Sequence, residues 1–533
     1  MLKIARIITL TAIAAFFAGC HNSEYYRQQR VEKARKDFKN INKRTIDENK
    51  VFTLNECINT ALKHNLSLKV YDLKEQIASE KVTARLLGML PQLTIDNQLN
   101  SRNRTPGARS ESIETGEQSL VSSRSIDNTV NNLKVELALS TLDFGLAFLN
   151  SAQAEDRRLI TIEQRKRAAQ NLVFEVVETY FKVASCQDAI QIADKLLKKC
   201  RDLEKVFVDL NESKALSPFR LLDERKRFIR LEKRLMEYRR EYQNSCIELR
   251  SLMGYVPNEK ITVDTRWLKK LNIATMPSIE IMEKLALAER PELYELDFET
   301  NVLVNEARKT ILTMFPNVRI FLDFTNSNNS YLYTQSWSEV AVHAAYNLLR
   351  LPQRMAEYSA RNAEIDEISM RTLALSIGIM AQVRIAHANI MEVKQRYELD
   401  NRTYQAYKKH LGIAAQSYKS GTSLSKLELD RLELETAETY VDRLISMSNY
   451  YVAYYRLLNT IGIKDLTPET ITKVIDEFKA VEAEQKNTKL TKARKFSPVK
   501  LPSDTIKTSS KSKNAANKEL KEVVPDLVQR STI

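Results

Sequence analysis

The sequence predicts a mainly α-helical protein with a smaller β-barrel portion, in which long antiparallel coiled-coil helices accompany four β-strands per chain. Glycine and proline are rare, with 10 and 12 among 533 residues, and this scarcity of helix breakers favours long helices. Two separate regions show alternating apolar residues instead, which is the pattern of strands with one apolar face. The same order of segments occurs twice, which predicts two copies of one helix–strand–helix unit.

The sequence lacks the motifs of the common classes of enzyme and of nucleic-acid-binding protein. Lys and Arg exceed Asp and Glu by 82 to 68. Such an excess can indicate nucleic acid or an anionic membrane, but no compact nucleic-acid motif accompanies it. The five histidines have no metal-ligand spacing, and the five cysteines form no Cys-x-x-Cys pair. A phosphate-binding loop and a nucleophile elbow are also missing. We therefore predict no enzyme, no nucleic-acid partner, no catalytic residue, no metal and no cofactor.

The N-terminus has the pattern of an export signal. Residues 1–20 combine a basic start, an apolar stretch from Ile7 to Phe17, and small residues before Cys20. This resembles a bacterial lipoprotein signal, which implies a covalent lipid on the Cys20 thiol. A plain secretory signal with a chance cysteine is the alternative. His21 stands where an Asp would mark inner-membrane retention, so the resemblance implies the outer membrane. Residues 21–50 then form a linker after the anchor.

The internal repeat is visible without gaps over about thirty residues. Residues Ala61–Leu68 align with Ala286–Leu293, and Met89–Leu93 align with Met314–Val318, both at an offset of 225. In each copy a helical stretch runs into a proline and then into alternating residues. The repeats are therefore placed at 51–265 and 266–465. After residue 20 there is no run of about 18 apolar residues, which argues against a helical transmembrane span.

Each repeat contains a predicted β-hairpin followed by a predicted coiled-coil hairpin. The β-hairpins cover 92–143 and 317–350, and each has a polar loop. The coiled-coil hairpins cover 146–253 and 354–460. Turn signals separate the two parts at Asp143-Phe144-Gly145 and Leu351-Pro352-Gln353.

The strand count predicts an oligomer if the hairpins enter a membrane. Four strands cannot close a lipid-facing barrel, because the smallest such barrels have about eight. Unpaired strand edges are not tolerated in lipid. Other copies of the chain must then complete the barrel. The alternative is that the hairpins are soluble sheets that cap a coiled-coil rod.

Several ordered motifs resemble the TolC-type outer-membrane factors, the outer membrane efflux protein family, over about residues 50–465. The resemblance rests on a helix opening, a repeated helix-to-strand signal, a coiled-coil start and a helical tip. These are Phe52-Thr53-Leu54-Asn55-Glu56-Cys57, Leu90-Pro91-Gln92-Leu93 with Phe315-Pro316-Asn317-Val318, Leu142-Asp143-Phe144-Gly145, and Tyr418-Lys419-Ser420-Gly421-Thr422.

The resemblance implies a lipid-anchored outer-membrane protein with a periplasmic helical portion. It implies a homotrimer in which three chains form a 12-stranded barrel and a helical α-barrel. A periplasmic adaptor protein would link it to an inner-membrane transporter. The chain would be a passive conduit in a tripartite efflux pump or a type I secretion system, for small molecules or proteins. The alternative function is a lipid-anchored periplasmic coiled-coil scaffold without a pore.

The resemblance also transfers two groups of site residues. Asp430 matches one of the acidic positions that line a closed periplasmic aperture, whereas Leu427 stands at the other usual acidic position, with Glu428 beside it. Ordinary solvated helix residues are the alternative there. The adaptor-contact positions at the tips, for which ordinary packing is the alternative, are Leu216, Ser217, Gly421, Leu424 and Leu427. Beyond the repeats we predict a short helix at 466–481 and a basic disordered tail at 482–533.

Overall fold

The computed structural model describes residues 23–47, 50–212, 218–258, 260–269, 276–420 and 426–463, together with Thr472 and Asp476, which are helical. The elements below lie in one compact unit, Met1–Ile471. The helices are α1 (Ser23–Asn42), α2 (Leu54–His64), α3 (Leu66–Leu87), α4 (Thr141–Glu212), α5 (Pro218–Leu252), α6 (Ile279–Glu289), α7 (Pro291–Leu312), α8 (Leu351–Lys419) and α9 (Lys426–Ile461). The strands are β1 (Val51–Phe52), β2 (Gln92–Ser101), β3 (Thr129–Ser140), β4 (Thr262–Val263), β5 (Asn317–Ser327) and β6 (Ser336–Ala345).

The duplication is visible in the lengths of the elements. Helices α2 and α6 both have 11 residues, and α3 and α7 both have 22. The long helices α4 and α8 have 72 and 69 residues, and α5 and α9 have 35 and 36. A strand hairpin separates the short helices from the long ones in each copy. The predicted fold class, mainly helical with four strands in two hairpins, is confirmed.

The first helix pair shows why the motif residues occupy their positions. Thr53 and Glu56 form a capping box at the start of α2, since each side chain bonds the backbone N–H of the other. Asn65 ends α2 in an extended conformation and caps α3, where its Oδ1 accepts the Leu68 N–H at 3.0 Å. Its Nδ2 donates to the Leu252 carbonyl at 2.9 Å, so the same side chain ties this corner to the end of α5.

The four long strands form one antiparallel sheet in the order β2-β3-β5-β6. The two hairpins therefore lie side by side and join through β3 and β5. A separate parallel pair, β1 with β4, connects the chain before α2 to the segment after α5.

The main core lies where α2, α4, α5 and α9 meet, at some distance along α4 from the sheet. Phe181 stacks on Tyr451 with ring centroids 5.0 Å apart, and Trp267 meets both rings edge-on. Cys57 and Cys246 are buried in this core, and neither thiol is part of a disulfide. Burial raises the pKa of Cys57 to about 12, so this thiol stays protonated and behaves as a small apolar residue.

The long helices begin earlier than the turn signals predicted. Helix α4 starts at Thr141, because the Ser140 hydroxyl accepts the Asp143 N–H at 3.1 Å and caps it. Gly145 lies inside this helix, where an added Cβ would come within 2.6 Å of Leu312 Cδ2. The glycine therefore permits close packing of α4 on α7 and does not make a turn. Helix α8 starts at Leu351 with its proline in the first turn, where no N–H is needed.

One helix bears on the expectation that the chain has no helical transmembrane span. The helical segment Leu348–Lys419 contains an apolar window that could cross a membrane by length and composition. A single helix of this kind is weak evidence for a span, since core helices pass the same test. Only 22% of the window is buried in the chain.

Candidate pore-lining sheet and helical aperture

The four-stranded sheet has one apolar face and one charged face. The register places most of the apolar residues of the four strands opposite one another on the first face, whereas Phe321 and Trp337 lie on the second. These side chains are exposed in the chain: Leu93, Ile95, Leu99, Leu133, Leu137, Leu139, Ile320, Leu322, Phe324, Val340 and Val342. A contiguous apolar face of this extent indicates contact with lipid or with another protein surface.

Every charged residue of the four strands lies on the other face. These residues are Asp96, Lys134, Glu136, Arg319, Asp323 and Glu339. Charged side chains on one face and apolar side chains on the other are the alternation of a membrane strand with a water-filled interior.

The charged face is held together by ion pairs between β3 and β5. Lys134 Nζ lies 2.8 Å from Asp323 Oδ2 and 3.1 Å from Glu136 Oε2. Arg319 pairs with Glu136 from the other side. Asp323 is 4% exposed, whereas the apolar residues beside it on β5 are exposed. The charged side chains are thus crowded together, which fits the inner side of a curved sheet.

Among the residues that the structure describes, no strand covers either edge of this sheet. Strands β2 and β6 are the terminal strands of the order β2-β3-β5-β6 and have a strand neighbour on one side only. An open edge presents unpaired N–H and C=O groups that can pair with another strand.

The helical layer below the sheet is open at both flanks in the same way. Among the described helices next to the sheet, α3, α4, α7 and α8 pack in that order, so α3 and α8 are terminal there, and α8 packs on α9 farther along. Each terminal helix carries an exposed apolar stripe at helical spacing. The stripes are Leu66, Val70, Leu73 and Ile77 on α3, and Met370, Leu373, Ile377 and Ile385 on α8.

The predicted aperture residue Asp430 lies on α9 and faces a lysine of α4. Lys199 Nζ is 3.8 Å from Asp430 Oδ1 and also bonds Glu433. Glu428 lies in the first turn of α9 and is exposed. The structure therefore places Asp430 beside Lys199 and Glu433, two residues that the sequence analysis missed. Lys199 is 231 residues from Asp430, and no local pattern could have paired them.

The other predicted site residues lie wholly or partly outside the described part of the chain. Cys20, Leu216, Ser217, Gly421 and Leu424 lie outside the described residues. Leu427 belongs to α9, but its side chain lies outside the described part. The proposed tail at 482–533 is outside as well, and so is the predicted helix at 466–481 apart from Thr472 and Asp476.

The two strand loops are joined by a cluster around Asp127. Its carboxylate accepts the Ser330 N–H at 2.6 Å and pairs with Arg124 at 3.3 Å. The Asp127 N–H donates to Asn329 Oδ1 at 3.1 Å. These contacts lower the pKa of Asp127, and the Ser330 backbone N–H is the largest cause. The loops of the two repeats are thus tied together by one ionised carboxylate.

Most of the first repeat matches a known protein family. Residues 57–255 match the model of the family described as outer membrane efflux protein. The resemblance predicted from the sequence is confirmed. Outer membrane efflux proteins are channels rather than enzymes, in agreement with the prediction that the chain has no catalytic role. No curated protein matches the sequence significantly.

Solved structures of outer membrane channels share the fold. The MtrE outer membrane channel of Neisseria gonorrhoeae, in its open state, has a TM-score of 0.60 at 16% identity and covers 77% of this chain and 89% of its own. The CmeC outer membrane channel of Campylobacter jejuni has a TM-score of 0.60 at 14% identity, covering 80% and 88%. The outer membrane protein VceC of Vibrio cholerae has a TM-score of 0.57 at 12% identity, covering 77% and 96%.

Proposed function

We propose that the chain is the outer-membrane channel component of a tripartite efflux pump or a type I secretion system. It would be a passive conduit for the export of small molecules or proteins. The separation of apolar and charged residues on the two faces of a sheet with open edges carries this proposal. An apolar face suits lipid, a charged face suits a water-filled lumen, and open edges within a bilayer require further strands.

The open flanks support a closed ring of copies. Strand β6 of one copy would pair with β2 of the next, and the apolar stripe of α8 would pack on that of α3. Both layers then close in the same direction around one axis. With four strands from each chain, a homotrimer would give the 12-stranded barrel that the resemblance implies, which lies within the range of known membrane barrels.

The proposed location is the outer membrane, with the long helices in the periplasm. A covalent lipid on Cys20 would add an anchor to the barrel, because apolar acyl chains hold a protein at a bilayer surface. Asp430 and Glu428 would belong to the periplasmic aperture. The tips around Leu216, Ser217, Gly421, Leu424 and Leu427 would contact the adaptor protein. An inner-membrane transporter would supply the energy, and the chain itself would need no cofactor.

Planar-bilayer recording tests the channel. We expect the detergent-purified oligomer to produce stepwise ionic currents, and a washed membrane pellet to retain the protein. A protein that stays folded as a rod without detergent, and that conducts no ions, would refute the channel. That result would favour the lipid-anchored periplasmic scaffold without a pore.

A further inference from the structure

A groove with basic walls lies on one side of the helical layer below the sheet. It has a volume of about 730 Å³, and its walls come from α3, α4 and α7. A smaller groove of about 400 Å³ lies over α4, α7 and α8 and shares Glu306 and Lys309 with the first. Side chains of three successive helices come together over one space where the layer curves toward that space. Both grooves therefore lie on the concave side of the layer.

Five cations line the larger groove. Lys74, Lys81 and Arg85 belong to α3, Arg157 belongs to α4, and Lys309 belongs to α7. The three cations of α3 follow each other at intervals of seven and four residues, which places them on one face of the helix. Like charges four residues apart, such as Lys81 and Arg85, repel each other and destabilise a helix. The groove therefore concentrates positive charge at a cost to its own helix.

The single carboxylate along the described walls of this groove is neutralised within the chain. Glu306 lies 3.0 Å from Lys309 Nζ and accepts a hydrogen bond from Gln153 Nε2 at 2.8 Å. Gln153 is 2% exposed, and its amide also bonds Lys309 and the Val302 carbonyl. This buried amide holds the carboxylate and the lysine together as a pair. Glu306 is therefore not available to compensate the other four cations.

Those four cations have no carboxylate partner in the described part of the chain. None of them takes part in an ion pair there, although α3 carries acidic residues. Asp72 and Glu75 of α3 pair instead with Arg165 of α4, and none of these three residues lines the groove. A concave surface lined by one sign of charge raises the local concentration of ions of the opposite sign. The uncompensated and exposed cations are Lys74, Lys81, Arg85 and Arg157.

We propose that this groove binds an oxyanion, the phosphate or carboxylate group of a solute in transit, between Lys81 and Arg157. The planar guanidinium of Arg157 suits such a group because it can donate two parallel hydrogen bonds to it. Lys74 and Arg85 would add positive charge on either side along α3. The inference rests on the proposed function, because the concave side faces a lumen only when copies of the chain close into a ring. It assigns anionic solutes as a substrate class.

The groove begins directly below the sheet. Arg85 is two residues from the end of α3 at Leu87, and β2 begins at Gln92. Each copy in a ring would present the groove at the same height, so the lumen would carry a belt of such sites where the helical cylinder meets the barrel. Anionic solutes would be concentrated at that level before they enter the barrel.

Isothermal titration calorimetry of the detergent-purified oligomer in low-salt buffer tests the site, with inorganic pyrophosphate and citrate as probes. We expect saturable binding, and Lys81→Gln/Arg157→Gln should weaken it about tenfold or more, because two charge-assisted contacts are lost. The matched control is Lys69→Gln/Arg165→Gln, which removes the same two charges from the same two helices outside the groove. The control variant should bind the probes nearly as the wild type does.

Equal weakening in the two double variants would overturn the site, because it would show only a general attraction of anions to positive charge. Wild-type protein that binds neither probe saturably would overturn it as well. Binding of pyrophosphate alone would assign the site to phosphates, and binding of citrate alone would assign it to carboxylates. If Lys81→Gln/Arg157→Gln fails to assemble, the single variant Lys81→Gln decides, and an unchanged affinity would overturn the proposal. Binding by a protein that carries no current in planar bilayers would support the site and refute the channel.

Discussion

A single arginine on the apolar face of the sheet would test whether that face contacts lipid. Val340 lies midway along β6, is 72% exposed, and faces Leu322 across the strand pair. Arginine on the lipid face costs about 2–4 kcal/mol at the bilayer midplane. We therefore expect Val340→Arg to lower the free energy of unfolding by about that amount per chain, or about 30- to 900-fold in the equilibrium constant. Urea unfolding of the protein in lipid vesicles measures it.

The neighbouring residue provides the control. Ala341 is adjacent on the same strand and belongs to the charged face, opposite Phe321. Ala341→Arg places the same charge at the same depth toward the proposed lumen, so it should assemble and unfold much like the wild type. If the sheet were a soluble cap, Val340→Arg would change an exposed position in water and cost no more than about 0.5 kcal/mol. Equal small effects of both variants would refute the lipid-facing assignment.

Three further predictions concern the aperture, the loops and the core. Lys199→Ala removes the cation beside the two α9 carboxylates and should raise the leak conductance in planar bilayers. The control is Lys205→Ala, whose ion-pair partner is on its own helix, and it should leave the leak conductance unchanged. Equal leak conductances of the two variants would show that Lys199 is not part of the aperture. The pKa of Asp127 is lowered in the folded chain, so its loop contact is intact above the unfolded pKa of about 3.9 and is lost as the pH falls through the folded pKa. Hydrogen exchange, corrected for intrinsic rates, should show that the loops loosen only at acid pH. The same pH dependence in Asp127→Asn would contradict the assignment to Asp127. Phe181→Ala should lower the free energy of unfolding by about 3–5 kcal/mol because its ring is buried. The control is Phe219→Ala, which should change thermal stability little because Phe219 is 83% exposed. Similar losses of stability in the two variants would show that this core does not limit the stability of the protein.

Much of the fold follows from patterns that are local in the sequence. The offset that aligns the two repeats also aligns Asn65 with Arg290, and both residues end a helix of 11 residues and precede one of 22. Alternation alone identified all four long strands, because successive side chains of a strand point to opposite faces of the sheet. Capping residues such as Thr53 fixed the start of α2.

The features that the sequence did not reveal depend on long-range register or on packing. Glycine at position 145 indicated a turn, but the structure uses its missing side chain to bring α4 against Leu312. The partnership of Asp430 with Lys199 joins two different repeats. The ion pair between Lys134 and Asp323 appears only once β3 is paired with β5, since the two residues are 189 positions apart in the sequence. The exposed apolar stripe of α8 lies at a flank of the helical layer only because of the order in which the helices pack.

The central claim is that copies of this chain close into a ring around a lumen. Electron microscopy of the detergent-purified protein tests it most directly. We predict end-on views that show a three-fold ring with a solvent-filled centre, and side views in which a short barrel continues into a long helical cylinder. Solid rods without a central channel, or single chains with an isolated helical arm, would contradict the account.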